Sequence, residues 1–290
     1  MARVTIAIPF HDEERRLPAA IRSVFAQTFA DWELLLMDDG SRDSSVRIAR
    51  SVDDPRVRVV SDGRLRGLPA RLNEVIAIAS SELIARMDAD DVMHPQRLER
   101  QLALFAEQPA LDCIGTQVAF VLPSRPPIIA DVAAPRSGAD VLARSGVPHA
   151  TMLGQRRFFQ RFPYDQTFTR AEDRELFCRS WGSARLAIVK APLYVVEPEV
   201  DSDAFLRGYL ESARQNRAIY LRHGPTLVGI PQTARAMLGS YARDGVYRVA
   251  AQLGGLEALV ACRGREATAD ERRMIDEALD ASRTTRVPGL

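Results

Sequence analysis

Cysteine is scarce in this 290-residue chain, and Cys113, Cys178 and Cys262 are isolated, odd in number and without metal-ligand spacing. That excludes a disulfide framework and points to a reducing compartment with buried thiols. Long apolar runs are missing too: none approaches the roughly 20 residues that a spanning helix needs. The amino terminus enters a strand-like segment with no basic-then-apolar leader. The expectation is a soluble, cytoplasmic protein, attached at most peripherally to the inner face of a membrane. Neither sign of charge dominates, and a net charge of +1 offers no argument for a nucleic-acid partner. No glycine-rich phosphate cradle of the G-x-G-x-x-G or P-loop kind is present, nor any internal repeat or low-complexity tract. Lysine is almost absent, with Lys190 the only one.

What is there is the composition of a globular domain, 46% apolar and 27% charged, with alternating strand and helix patterns over the first 110 residues. Val4-Thr5-Ile6-Ala7-Ile8-Pro9 is almost wholly apolar, as a strand covered on both faces must be. Leu17 to Gln27 has helical spacing, with Pro18 in its first turn. Strands are expected over Trp32 to Met37, Arg56 to Val60 and Glu82 to Arg86, and helices over Leu68 to Ala79 and from Pro95 through Glu107. Repeated units of this kind imply a mostly parallel, Rossmann-like sheet flanked by helices. Farther on, strands are expected over Asp112 to Leu122, Pro148 to Leu153, Ala184 to Val189 and Leu193 to Val196, and a loop at Pro123 to Pro127. A helix over Glu172 to Trp181 has Thr169 as its expected cap. Beyond residue 200 only helices are expected, over Asp203 to Arg222, Thr233 to Arg243, Val246 to Cys262 and Ala269 to Ser282, before a frayed tail over 283–290. The division expected is an α/β unit over 1–200 and a helical region over 201–290.

Three polar clusters follow expected strands: Phe10-His11-Asp12-Glu13, Asp38-Asp39-Gly40-Ser41 and Asp88-Ala89-Asp90-Asp91. Open α/β sheets bind ligands beyond the carboxyl ends of their strands, so the three can line one crevice. Residues two apart in an extended chain point the same way, which lets Asp88 and Asp90 converge. Carboxylates so placed need a cation or hydrogen-bond donors, and oxygen ligands suit Mg²⁺ or Mn²⁺ rather than zinc. Asp91 has a plainer reading, as the cap of the helix that opens near Pro95. The Asp38 to Ser41 stretch has one as well, a turn with a helix cap.

Taken together, Val4 to Pro9 with Glu13, Leu36-Met37-Asp38-Asp39-Gly40-Ser41-Arg42-Asp43, Gly67-Leu68 with Arg71 and Asn73, Ile84 to Asp91, Pro148-His149-Ala150-Thr151-Met152 and Ala171-Glu172-Asp173-Arg174-Glu175-Leu176 resemble a family 2 glycosyltransferase with the GT-A fold. The resemblance runs over residues 3–182. It implies inverting transfer of a sugar from a nucleotide-diphosphate donor, a uridine nucleotide favoured, to a hydroxyl of a saccharide or lipid-linked saccharide, in bacterial surface-polysaccharide or glycolipid assembly. Carried onto this chain, it sets Pro9, Phe10 and Asp39 around the donor nucleotide, with Glu13 nearby and Arg71 on the nucleotide or its phosphates. Asp88 then approaches the ribose and metal, Asp90 binds the divalent ion, and Asp173 is the general base, with Glu172 beside it. His149 stands on the diphosphate or acceptor side, or is a structural histidine. Trp181 belongs to the acceptor wall or to the core.

There are departures. Leu65 replaces the asparagine usual before the Gly67-Leu68 pair, and His11-Asp12 replace a Tyr-Asn pair. The Gln-x-x-Arg-Trp signature of processive synthases is missing, which favours addition of a single sugar. Asp88-Ala89-Asp90-Asp91-Val92 also resembles the nucleophile motif of haloacid-dehalogenase-type phosphatases, but that chemistry wants a downstream lysine, for which Lys190 is the sole candidate. A sugar nucleotidyltransferase lacks its glycine-rich amino-terminal loop here, and a degenerate glycan-binding scaffold would not need the paired aspartates and Glu172-Asp173. In the helical region Arg207, Arg214, Arg217 and Arg222 alternate with Phe205, Leu206, Tyr209, Leu210, Ile219 and Leu221. That pattern serves packing on the catalytic unit, or an amphipathic surface for a membrane or a partner, a second copy of the chain included.

Overall fold

The computed structural model describes residues 3–130, 132–198 and 202–290. The expected boundary between residues 200 and 201 lies outside them. The strand-helix alternation is built as β1 (Val4–Phe10), α1 (Leu17–Phe25), β2 (Trp32–Asp38), α2 (Ser45–Ser51), β3 (Val57–Val60), α3 (Leu68–Ile78), β4 (Leu83–Arg86), β5 (Val92–Met93) and α4 (Arg97–Glu107). Then come β6 (Cys113–Phe120), β7 (Ile128–Ala130), α5 (Gly138–Arg144), a 3₁₀ turn (His149–Thr151), β8 (Leu153–Gln155), α6 (Arg156–Arg161), α7 (Glu172–Ser180) and β9 (Leu186–Val196). The chain ends with α8 (Ser202–Val228), α9 (Ile230–Gln252), α10 (Leu256–Ala261), β10 (Gly264–Glu266) and α11 (Ala269–Thr284).

The sheet runs β10-β7-β6-β8-β4-β1-β2-β3. Its β4-β1-β2-β3 half is parallel, β8 runs antiparallel to both β4 and β6, and β9 lies parallel to β6. The period of two along β1 divides the core. Ile6 and Ile8 pack with Leu17, Ile21 and Val24 of α1 and Leu98 and Leu102 of α4 on one face. Ala7, with Leu35 and Met37 of β2, packs on the other face with Leu72 and Val75 of α3 and Leu176 and Phe177 of α7. Burial on both faces explains why β1 and β2 read as continuous apolar runs.

Several local expectations are corrected. Pro148 to Leu153 is a 3₁₀ turn followed by β8, because Thr151 turns its hydroxyl back onto the Pro148 carbonyl at 2.8 Å. The cap of α7 is Ala171 in the left-handed region (φ 69°), not Thr169, whose hydroxyl accepts from Gln215. Asp91 does not cap the following helix; it precedes β5, and α4 is capped at Gln96. The two short strands expected over 184–196 are one strand, β9, with an irregular register opposite Thr116 and Gln117. Residues 244–246 carry α9 straight through Gly245, and the helix breaks at Gly254 (φ 68°) instead. The carboxy-terminal region also contains a strand, β10, paired with β7. Its tail is docked, not frayed: the Asp53 amide donates to the Pro288 carbonyl and Val287 is buried in the α1 face of the core. Cys113 and Cys178 are buried thiols as expected, but Cys262 is exposed.

Candidate active site

The carboxyl ends of β1, β2 and β4 open into a cleft of about 540 Å³. Pro9, Phe10, Glu13, Asp39, Asp88, Asp90, His149, Glu172 and Asp173 all line it, so nine expected site residues from five separate stretches meet in one place. His11, Leu68, Arg170 and Ser212 line it as well.

Asp39 follows β2, whose register sets Asp38 against Phe10. Its carboxylate accepts from the Arg66 amide at 2.7 Å, the Gly67 amide at 2.9 Å and Arg71 Nε at 3.0 Å. Gly40 permits this crossing, because a Cβ there would stand 2.8 Å from the Arg64–Leu65 backbone and its φ is +78°. Arg71 itself does not line the cleft. It is fully buried and holds Asp39, Asp62 (2.6 Å) and Glu74 (3.0 Å), so it acts behind the wall and not on its surface. Trp181 also stays out of the cleft, partly buried against the α7 face of the core.

The β4 end holds the acid cluster. Asp88, Asp90 and Asp91 bring one carboxylate oxygen each within 4.8 Å of one another. Asp88 pairs with the buried Arg86 guanidinium, and its amide donates to the Tyr194 hydroxyl at 2.9 Å. Burial opposes charge on Arg86, yet the Asp88 carboxylate beside it keeps its pKa above the usual range. Enclosure by the cleft walls, then the Asp88 charge, pushes the Asp90 carboxyl up. Asp91 is buried, and that burial together with Asp88 and Asp90 raises it further still. Two carboxyls raised side by side are groups that a cation would return to their charged form. The donor set is oxygen only and fits a hard divalent ion such as Mg²⁺ or Mn²⁺.

The opposite wall carries Glu172 and Asp173 in the first turn of α7, where the helix dipole favours negative charge. Asp173 Oδ2 accepts from the Ser145 hydroxyl at 2.8 Å. Glu172 faces His149 Nδ1 at 3.1 Å, and the other ring nitrogen of His149 lies 3.3 Å from the Tyr164 hydroxyl. His149 is therefore held by side chains, Glu172 and Tyr164. Just before α7, Gln215 of α8 grips the loop twice: its Oε1 accepts from the Arg170 amide at 2.9 Å and its Nε2 donates to Thr169 at 2.8 Å. Ser145, Arg86, Tyr194 and Gln215 escape sequence reasoning, since each lies in an apolar strand, a loop or a helix whose neighbours appear only in the fold. Arg86 alone had a signal, as a lone cation inside a strand that leads into three acids.

The lining is acidic, with Glu13, Asp39, Asp88, Asp90, Glu172 and Asp173 against Arg170 and two histidines. An anionic ligand enters such a cleft only together with a cation. Lys190 is exposed and does not line the cleft, which removes the lysine that a phosphatase reading requires.

A parallel sheet half with an acid-lined cleft at its strand ends, a mixed half beyond it and flanking helices form an α/β enzyme of the GT-A type. The sequence profile described as Glycosyl transferase family 2 matches residues 5–163, and the chain belongs to that family; it is a glycosyltransferase. It is 30% identical over 220 residues to the putative glycosyltransferase EpsE of Bacillus subtilis (strain 168), covering 71% of this chain and 76% of that one. It is 33% identical over 101 residues to the Escherichia coli UDP-Glc:alpha-D-GlcNAc-diphosphoundecaprenol beta-1,3-glucosyltransferase WfgD, covering 35% of this chain and 40% of WfgD. Among solved structures, the mannosyltransferase PcManGT from Pyrobaculum calidifontis, in complex with GDP-Man and Mn²⁺, superposes with a TM-score of 0.60 at 16% identity over 97% of this chain and 86% of its own. Residues 1–349 of S. aureus TarS in complex with UDP-GlcNAc give 0.59 at 18% identity over 76% of this chain and 67% of theirs. These two likenesses show the fold.

Proposed function

We propose that the protein moves one sugar, with inversion, from a nucleotide-diphosphate-sugar to a hydroxyl of a saccharide or lipid-linked saccharide, in polysaccharide or glycolipid synthesis. The observation that carries this reading is Asp173, hydrogen-bonded by Ser145 and facing the same cleft as Asp88 and Asp90. The activity in the name of WfgD, transfer from UDP-Glc to alpha-D-GlcNAc-diphosphoundecaprenol, supports a uridine donor and a lipid-linked saccharide acceptor here. Residues 1–200 form the catalytic unit in this reading, and 201–290 brace it through Ser212 and Gln215.

The roles follow from the chemistry. Pro9, Phe10, Glu13 and Asp39 shape the end of the cleft that takes the nucleotide. Asp90 and Asp88, backed by Asp91, hold Mg²⁺ or Mn²⁺, which supplies charge stabilisation to the departing diphosphate. Asp173 accepts the acceptor's proton as its oxygen attacks the anomeric carbon, while Ser145 holds that carboxylate in one orientation. His149 and Glu172 form a fixed polar pair beside it.

Asp173→Asn keeps the shape and removes the base. Transfer is expected to fall about 10²–10⁴-fold, while donor affinity, measured by calorimetry with Mn²⁺, stays within about twofold of wild type. Full turnover by this variant removes Asp173 from the mechanism.

A further inference from the structure

The two long helices α8 and α9 form an antiparallel hairpin. Tyr209 stacks on Tyr247 with ring centroids 3.7 Å apart, Arg217 bonds Asp244 at 2.8 Å, and Gly224 sits against Thr233, where a Cβ would come within 2.4 Å of its hydroxyl. These pairs run in opposite directions along the two helices. Most of the amphipathic pattern of α8 faces inward, with Leu221 its one large apolar residue left exposed among the described residues. Ile219 and Tyr220 are buried with α7 residues, Arg217 is taken by Asp244, and Arg222 by Asp165 at 2.7 Å. The unpartnered surface is the outer face of α9.

That face is apolar along its length. Leu238, Ala242, Val246, Val249 and Leu253 recur every three or four residues. Leu238 is 72% exposed, Val249 54% and Leu253 80%, values that ordinary core-forming residues do not reach together on one helix. At about 1.5 Å per residue the stripe is roughly 23 Å long. At its far end it continues into an apolar hollow of about 570 Å³ shared with Gly255 and Leu259. The rim is cationic: Arg235, Arg243 and Arg248 are exposed and form no ion pair among the described residues. The one acid on α9, Asp244, is turned inward onto Arg217.

Charge decides the occupant. Two copies of this face packed on one another would oppose like-charged rims, which disfavours an isologous dimer. A flat apolar stripe edged by arginines fits a layer that is apolar within and anionic at its surface. We propose that the outer face of α9 seats the protein on an anionic phospholipid surface, with the apolar stripe entering the boundary between headgroups and acyl chains and Arg235, Arg243 and Arg248 meeting lipid phosphates. The inner partner of this helix, α8, supplies Ser212 to the cleft and Gln215 to the loop before Asp173. Docking therefore sets the catalytic cleft on the far side of one helix hairpin from the lipid surface. It deepens the lipid-linked acceptor reading and is tested without it.

The test is flotation of the full chain with vesicles of phosphatidylglycerol and phosphatidylcholine, and with phosphatidylcholine alone. Wild type is expected to float with the anionic vesicles, to do so less at high salt, and to stay in solution with the neutral ones. Val249→Glu and Leu253→Glu are each expected to lower partitioning about tenfold, with circular dichroism unchanged because both side chains face solvent. Arg248→Glu is expected to lower it and to flatten its salt dependence. The proposal is overturned if wild type ignores anionic vesicles, or if the Glu variants float as wild type does. It is equally overturned if the same variants dissolve a dimer in sedimentation, or abolish capture by an acidic protein, without altering flotation. None of these readouts uses transfer activity, so failure here is separable from failure of the glycosyltransferase mechanism.

Discussion

The two walls of the cleft are held in different ways. The wall at the ends of β1, β2 and β4 is fixed by main-chain pairing, with parallel register from Val4 to Phe10 and the Asp39 carboxylate clamped by two amides and Arg71. The wall around α7 is held by side chains reaching across the fold: Ser145 to Asp173, Tyr164 to His149, and Gln215 to Thr169 and Arg170. It also contains two non-glycine residues with positive φ, Ser145 (72°) and Ala171 (69°), against one, Asp12 (53°), at the end of β1, a conformation that persists only where surrounding contacts impose it. A wall fixed by sheet register tolerates little change, whereas one fixed by bridges to a helix hairpin can vary with that hairpin. Under the proposed function, this makes the wall assigned to the donor the rigid one and the wall assigned to the acceptor the adaptable one.

The difference can be tested by breaking each wall. Arg71→Met leaves the buried Asp39 carboxylate without its cation, while Asp62 and Glu74 can turn to solvent, and a loss of about 3–5 kcal/mol in unfolding free energy is expected from the buried pair. Urea denaturation checks it, and a loss below 1 kcal/mol would mean that the strand-end wall does not depend on this cluster. Mn²⁺ at about a hundredfold excess over its Kd should stabilise the protein by about 2.7 kcal/mol. Asp90→Asn should remove most of that gain in thermal shift, and an undiminished gain would move the metal elsewhere.

The α7 wall gives smaller effects. Glu175 is fully buried and, although burial alone would raise it, hydrogen bonds from His223 and Arg179 hold its pKa below the ordinary 4.5. A carboxyl lowered by folding adds stability above its unfolded value and loses it as pH falls through the folded one. Stability should therefore decline below about pH 4.5, and Glu175→Gln should flatten that limb while costing about 1–3 kcal/mol at neutral pH. Equal slopes in the two proteins would discount the pair. Gln215→Ala should lower kcat about fivefold by loosening the loop before Asp173, with donor affinity unchanged. A donor-binding defect of the same size would show that the walls are coupled and do not act independently.

The strand-end wall was largely legible because continuous apolar runs ending in acids are a local signal. Asp39, Asp88 and Asp90 could be placed from β2 and β4 alone. Arg71 was legible as a participant but not as a buried one, since only Glu74 shares its helix while Asp39 and Asp62 come from separate loops. The α7 wall was legible in Glu172 and Asp173 through family resemblance. Its supports were not, because Ser145 and Gln215 meet Asp173 and Thr169 only after α5 and α8 have packed. The α8 pattern showed an amphipathic helix but not which side meets protein, and the exposed face proved to be that of α9. Likewise Val287 looks like part of a polar tail until α11 turns it onto the sheet.

The docked end of the chain bears on how the protein forms during synthesis. α11 covers α1, and the Pro288 carbonyl takes the Asp53 amide, so one face of the β1-α1 unit is sealed by residues translated long after it. Until then Ala19 and the apolar side of β9 lack their partners Ile275 and Leu279. Contacts so far apart in sequence form slowly and leave sticky surface uncovered on the nascent chain. Chains that have not yet reached residue 269 are therefore the species most exposed to aggregation, and the yield of folded protein depends on α11.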